Sequence, residues 1–134
     1  LQEEVADRMI AMIAGAVRAL RLGDPRDPAT HIGPVIDAEA KARLDAYVAA
    51  RSRTATLHYA GPAPAAGTFV APHIFELDRV EALTEEVFGP ILHVVRYRAD
   101  DLEGERRHGA RQGPGGRPAQ SQGQPVAEAG RRGA

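Results

Sequence analysis

Cysteine is absent from all 134 residues. Within this chain that excludes disulfides, thiolate metal sites and a cysteine nucleophile. Tryptophan is absent too, and aromatic residues make up only 4%. The apolar fraction is 43%, but much of it is alanine. Burial stabilises in proportion to apolar area removed from water, so the core is thin for the length. The expectation is a fragment, or one domain's worth of chain that leans on a partner. No run approaches the roughly 18 apolar residues of a membrane span. Lys+Arg 17 against Asp+Glu 18 leaves a net charge of -1, so no global field favours nucleic acid or an anionic membrane. Leu1 is followed by Gln2-Glu3-Glu4, which is neither a signal peptide nor a natural start, and the expected location is cytoplasmic.

Periodicity organises the first hundred residues. Residues 2–22 read as an amphipathic helix with Val5, Met9, Met12, Ile13, Ala16, Val17 and Leu20 on its apolar face, Gly23 as its C-terminal cap and Pro25 preventing continuation. Residues 23–36 form a loop rich in turn dipeptides: Asp24-Pro25, Asp27-Pro28, Gly33-Pro34. Asp37 is a good N-cap for a second helix over 37–52, with Ala40, Leu44, Tyr47 and Val48 on its apolar side. The period then changes. Residues 54–60 read as a strand, 68–77 as a second strand that Pro72 marks as an edge or a bulge, 78–85 as an acidic connection with a helical turn, and 91–97 as the third and strongest strand. Two helices followed by three strands imply an α/β piece.

Past Leu102 the character changes. Between Glu103 and Ala134 the only large aliphatic residue is Val126, and Gly, Arg, Pro, Gln and Ala dominate. Such a segment cannot bury enough apolar surface to offset its ordering entropy, so 103–134 is expected to be a disordered tail. Its dilute arginines, without stacking aromatics, make a poor nucleic-acid arm. Of the histidines, His31, His58, His73, His93 and His108, none shares the i, i+4 spacing of a helical ligand pair, so no metal site is expected. His93, alternating within the third strand, reads as a satisfied or solvent-facing strand residue.

The densest chemistry lies in Glu85-Glu86-Val87-Phe88-Gly89-Pro90, directly before that strand. A carboxylate can accept two hydrogen bonds at once, which suits a vicinal diol. An adjacent ring offers a flat wall to a heterocycle. Val87 between them puts Glu86 and Phe88 on one side of an extended segment, and Gly89-Pro90 turns the chain and lets backbone approach closely. The competing reading is an ordinary turn with Phe88 buried and Glu86 exposed.

Glu86-Val87-Phe88-Gly89-Pro90 resembles the E-x-F-G-P motif of the NAD(P)-dependent aldehyde dehydrogenase superfamily. Three further segments agree in order: Leu22-Gly23-Asp24-Pro25, Gly33-Pro34-Val35-Ile36 and Gly67-Thr68-Phe69-Val70-Ala71-Pro72. The stretches 32–41 and 87–98 are similar to the dehydrogenase half of bifunctional proline utilisation enzymes, which oxidises glutamate semialdehyde (pyrroline-5-carboxylate) to glutamate. The resemblance covers residues 1 to about 102.

That resemblance implies a partial catalytic domain over 1–102, NAD as cofactor, Glu86 on the nicotinamide ribose hydroxyls and Phe88 beside the nicotinamide. It implies an aldehyde substrate and a homo-oligomeric parent. It also implies that the catalytic cysteine, the glutamate base and the cofactor domain lie upstream, so that no catalytic residue belongs to this chain and the chain alone is inactive. The family continues after this point into a helix and a Gly-rich substrate loop. Residues 103–134 supply neither, which raises the expectation that they are an out-of-frame reading of a GC-rich gene. Other readings are a different aldehyde dehydrogenase subgroup, or a non-enzymatic α/β interaction module with an Arg-rich arm.

Overall fold

The computed structural model describes residues 1–101, so the expected tail at 103–134 lies outside the described residues. Helix α1 spans Glu3–Arg18 and α2 spans Ala38–Thr54. Three strands follow, β1 (Thr56–Ala60), β2 (His73–Leu77) and β3 (Ile91–Val95), in the sheet order β1-β2-β3. β1 and β2 are antiparallel, and β2 and β3 are parallel. The expected α/β class, with two helices and then three strands, is what forms.

Both helices start and stop for local reasons. Glu3 and Glu4 lie in the first turn of α1 and Arg18 in its last, complementing the helix dipole. The Asp37 carboxylate accepts from the Ala40 amide at 2.7 Å, the N-cap expected of it. α1 stops short of the expected Gly23 cap because the chain turns back on itself. The amides of His31 and Ile32 both donate to the Arg21 carbonyl, and the Gly23 amide donates to the Ile32 carbonyl. At its end α2 takes Thr54, expected in β1. The Ala55 amide still bonds the Arg51 carbonyl, and the Ser52 hydroxyl bonds the Val48 carbonyl, one turn back.

β2 is the central strand, which corrects the reading of Pro72 as an edge or bulge signal. Pro72, with no amide to donate, sits just ahead of β2, where its carbonyl accepts from Gly61. The register irregularity falls instead in β1, between Leu57 and Tyr59. Thr68, expected within the second strand, clips the loop before α2: its carbonyl accepts from the Val35 amide and its hydroxyl donates to the Val35 carbonyl.

The sheet separates two apolar layers, because successive β2 side chains point to opposite faces. Ile74, with Val94 of β3, packs against Ile10 and Ala14 of α1. Phe75 is fully buried on the other face, where Tyr47 of α2 meets His93 of β3. The face of α1 that is buried is not the expected one. Ala6, Ile10 and Ala14 are buried, Ile13 and Val17 pack partly, and Val5, Met9, Met12 and Leu20 are exposed. The small alanines on either side of Ile10 let the helix sit close to the sheet. The stripe of larger residues is turned about one residue away.

On the α1 side an ion-pair network ties the elements together. The Arg96 guanidinium grips Glu76 at 2.7 and 3.0 Å and reaches Asp7 of α1 at 2.7 Å, while His58 of β1 bonds the second Glu76 oxygen at 2.7 Å. The Arg96 hydrogen bonds hold the Glu76 carboxyl below its ordinary 4.5, against the opposing effect of burial, with His58 helping. Because folding lowers this pKa, Glu76 contributes stability fully above its unfolded value and loses it as pH falls through the folded one. Urea midpoints of the chain should therefore drop as pH falls below 4.5. Glu76→Gln should remove part of that slope, and an unaltered slope in the variant would refute the assignment.

Candidate functional site

β2 and β3 run parallel, so residues 78–90 must carry the chain from the end of one strand to the start of the next. A single 3-10 turn, Val80–Ala82, opens this connection. Two tight three-residue turns close it: the Gly89 amide donates to the Val87 carbonyl at 3.0 Å and the Ile91 amide to the Gly89 carbonyl at 2.8 Å. Phe88 lies at the apex of the first, and Pro90, with its fixed φ, at the apex of the second. The Pro90 carbonyl accepts from the His73 amide and so registers the segment against the start of β2.

Gly89 rests directly on α2. A Cβ there would stand 2.8 Å and 2.9 Å from the two methyl carbons of Leu44, a side chain that is itself buried. Only glycine lets the segment lie this close to the helix.

Between the segment and α2 lies an open cleft of about 430 Å³. Glu85, Glu86, Val87 and Phe88 form one side. Ala40, Arg43, Leu44 and Tyr47 form the other, with the chain before α2 contributing Val35 and Ile36. Glu86 and Phe88 both face solvent, with Phe88 79% exposed, and Val87 between them is half-buried. The competing expectation of a buried Phe88 is thereby excluded. The Glu86 carboxylate makes no hydrogen bond or ion pair to any other described residue, so its acceptor capacity is available to a ligand.

Arg43, which residue spacing alone did not mark, lines the cleft with the two carboxylates and is its one arginine among the described residues. The signal was available: residues 40, 43, 44 and 47 fall on one helical face once α2 is placed. No histidine lines the cleft among the described residues. His58 belongs to the Glu76 network, His73 bonds the Ala71 carbonyl, and among the described residues no three His, Asp or Glu side chains gather as metal ligands.

An exposed carboxylate, an exposed ring and a cation thus gather around one cleft of an α/β piece. The family model for the aldehyde dehydrogenase family matches residues 1–104, and the chain belongs to that family. Within it the chain resembles the bifunctional PutA proteins. It is 44% identical over 111 residues to that of Klebsiella aerogenes, covering 77% of this chain and 8% of the relative. A solved mutant of Bradyrhizobium japonicum proline utilization A is 65% identical, with a TM-score of 0.78 over 82% of this chain and 11% of that one. A betaine aldehyde dehydrogenase double mutant from Staphylococcus aureus, solved in complex with NAD+, is 26% identical with a TM-score of 0.66, covering 75% of this chain and 22% of that one. The chain thus spans roughly a tenth of the length of the PutA proteins it matches.

Gly89→Ala should cost about 1–3 kcal/mol, the usual penalty for forcing extra atoms into a packed contact. Urea unfolding measures it, and a variant as stable as the parent would show that Leu44 yields freely.

Proposed function

We propose that this chain supplies one wall of the cofactor site of an NAD-dependent aldehyde dehydrogenase that oxidises L-glutamate γ-semialdehyde to glutamate. The observation that carries the reading is the pairing, on a single cleft, of the Glu86 carboxylate, which has no partner among the described residues, with the exposed Phe88 ring. The donor set fits the nicotinamide riboside half of the cofactor. Glu86 would accept from the two ribose hydroxyls, Phe88 would bound the heterocycle, and Arg43 adds a cation for the cofactor's anionic part. The apolar edges of Leu44 and Tyr47 line the helix side. NAD, when bound, supplies the hydride acceptor.

Glu86 and Phe88 act in this reading by holding and orienting, and the chain has no catalytic residue of its own. The nucleophile cannot be a cysteine of this chain, which has none. The remainder of a longer dehydrogenase chain would provide it, together with the base and the dinucleotide fold, and the chain alone is inactive. The choice of substrate rests on the likeness to PutA proteins, which is stronger than that to the betaine aldehyde dehydrogenase.

Two measurements test this. The purified chain should produce no NADH from glutamate semialdehyde. Grafted in place of the aligned segment of the Klebsiella aerogenes PutA protein, residues 1–101 should support turnover. Glu86→Gln in that graft should raise KM for NAD by about tenfold or more, since a hydrogen bond to a charged group contributes about 1.5–3 kcal/mol. A graft whose KM and kcat ignore both Glu86→Gln and Phe88→Ala would overturn the reading.

A further inference from the structure

Tyr47, Arg51 and His93 form a chain of contacts behind the cleft that the proposed chemistry does not use. The Arg51 Nε–H donates to the Tyr47 hydroxyl at 3.0 Å, and that hydroxyl lies 2.9 Å from His93 Nε2. The other arm of Arg51 donates to the Ala82 carbonyl at 2.6 Å. The Arg51 guanidinium also sits over the Tyr47 ring, 5.1 Å from its centroid, and the His93 ring meets Tyr47 edge-on at 5.7 Å. All three side chains are half-buried.

These contacts join α2, which lines the cleft, to two elements that flank the Glu85–Phe88 segment in sequence. Tyr47 is part of the α2 wall. His93 lies in β3, directly after the Gly89-Pro90 turn. Ala82 ends the 3-10 turn that leads into Glu85 and Glu86. Arginine is a donor only, so the Tyr47 oxygen accepts from it and keeps its own proton for His93 Nε2. His93 then serves as an acceptor in its neutral form. Burial, aided by the Arg51 charge, pushes its pKa below the ordinary value and favours that form.

We propose that Arg51, Tyr47 and His93 are positioning residues that hold the Glu85–Phe88 segment at a fixed distance from α2, and so set the width of the cleft. Glu86 and Phe88 have little of their own to hold them: Phe88 is 79% exposed and Glu86 has no side-chain partner among the described residues. Upstream, the Arg51 bond to Ala82 ties the connection to α2, and downstream Gly89 rests on Leu44 of the same helix. Assigning these residues to the cofactor's position rests on the reading of the cleft given above.

Amide hydrogen exchange on the full 134-residue chain tests the tether without any cofactor, so its failure is distinct from a failure of the cofactor reading. His93→Leu and Tyr47→Phe each break the link between Tyr47 and His93. Exchange should quicken about tenfold at the hydrogen-bonded amides within residues 79–89, those of Ala82, Leu83 and Gly89, as loss of one hydrogen bond to a half-buried polar group implies. Residues 3–18 and 56–60 should keep their parent rates. His93→Gln, which still offers an oxygen to the Tyr47 hydroxyl, should restore slow exchange. Arg51→Lys keeps the charge but loses the two-armed reach, and should quicken 79–89 as His93→Leu does. Quickening spread evenly over the chain would reduce the three residues to general packing and overturn the proposal, as would unchanged rates at 79–89 in every variant.

Discussion

The structure depends on β2 being buried on both faces. Ile74 is 1% exposed and Phe75 0%, and they point in opposite directions. Only a strand with an apolar layer on each side can bury two successive large residues in this way. α1 must therefore cover one face and α2 the other, and β1 and β3 must flank the strand to satisfy its backbone groups. In a chain short of aromatic residues, the two largest fully buried side chains, Ile74 and Phe75, both belong to this one strand. The helices are fixed by what it needs: small residues on α1 where the approach is close, and Leu44 with the Tyr47 ring on α2.

The parallel pairing of β2 with β3 then produces the cleft. A parallel neighbour cannot be reached by a hairpin, so the chain must leave the sheet and return. It returns across α2 without a covering helix of its own. Such a segment exposes backbone and side chains, which is where a binding group can be presented. The Gly89 contact and the Arg51 bond to Ala82 bring this exposed segment against a helix, and the space left over is the cleft. Motif and topology therefore have one origin.

Much of this was legible in the residues. The order of the elements, the Asp37 cap and a strand directly after Gly89-Pro90 follow from spacing and residue chemistry. The misreadings share a cause, which is that local pattern cannot rank competing surfaces. α1 is apolar on two adjacent stripes, and the stripe of larger residues looked like the core. Close packing against Ile74 and Val94 chose the stripe with alanines instead. Pro72 correctly signalled an interruption, but whether a proline ends a strand or marks an edge depends on neighbours far away in sequence. Spacing places Arg43 on the face of α2 that carries Ala40, Leu44 and Tyr47, but that this face meets Glu85 and Glu86, about forty residues on, is set only by tertiary structure.

A carboxylate assists binding in proportion to how well it is placed before the ligand arrives, because ordering a free segment costs about 1–2 kcal/mol per residue. That cost would cancel most of what two ribose hydrogen bonds return if Glu85 to Phe88 were free to move. A motif of carboxylate, ring, glycine and proline is therefore not sufficient to make a cofactor wall. Glycine and proline fix the downstream end through Leu44 and the Pro90 turn. The upstream end has no equivalent within the motif and takes its restraint from Arg51, which is far from it in sequence. The motif names the groups that would touch the cofactor, while α2 determines whether they are held ready for it.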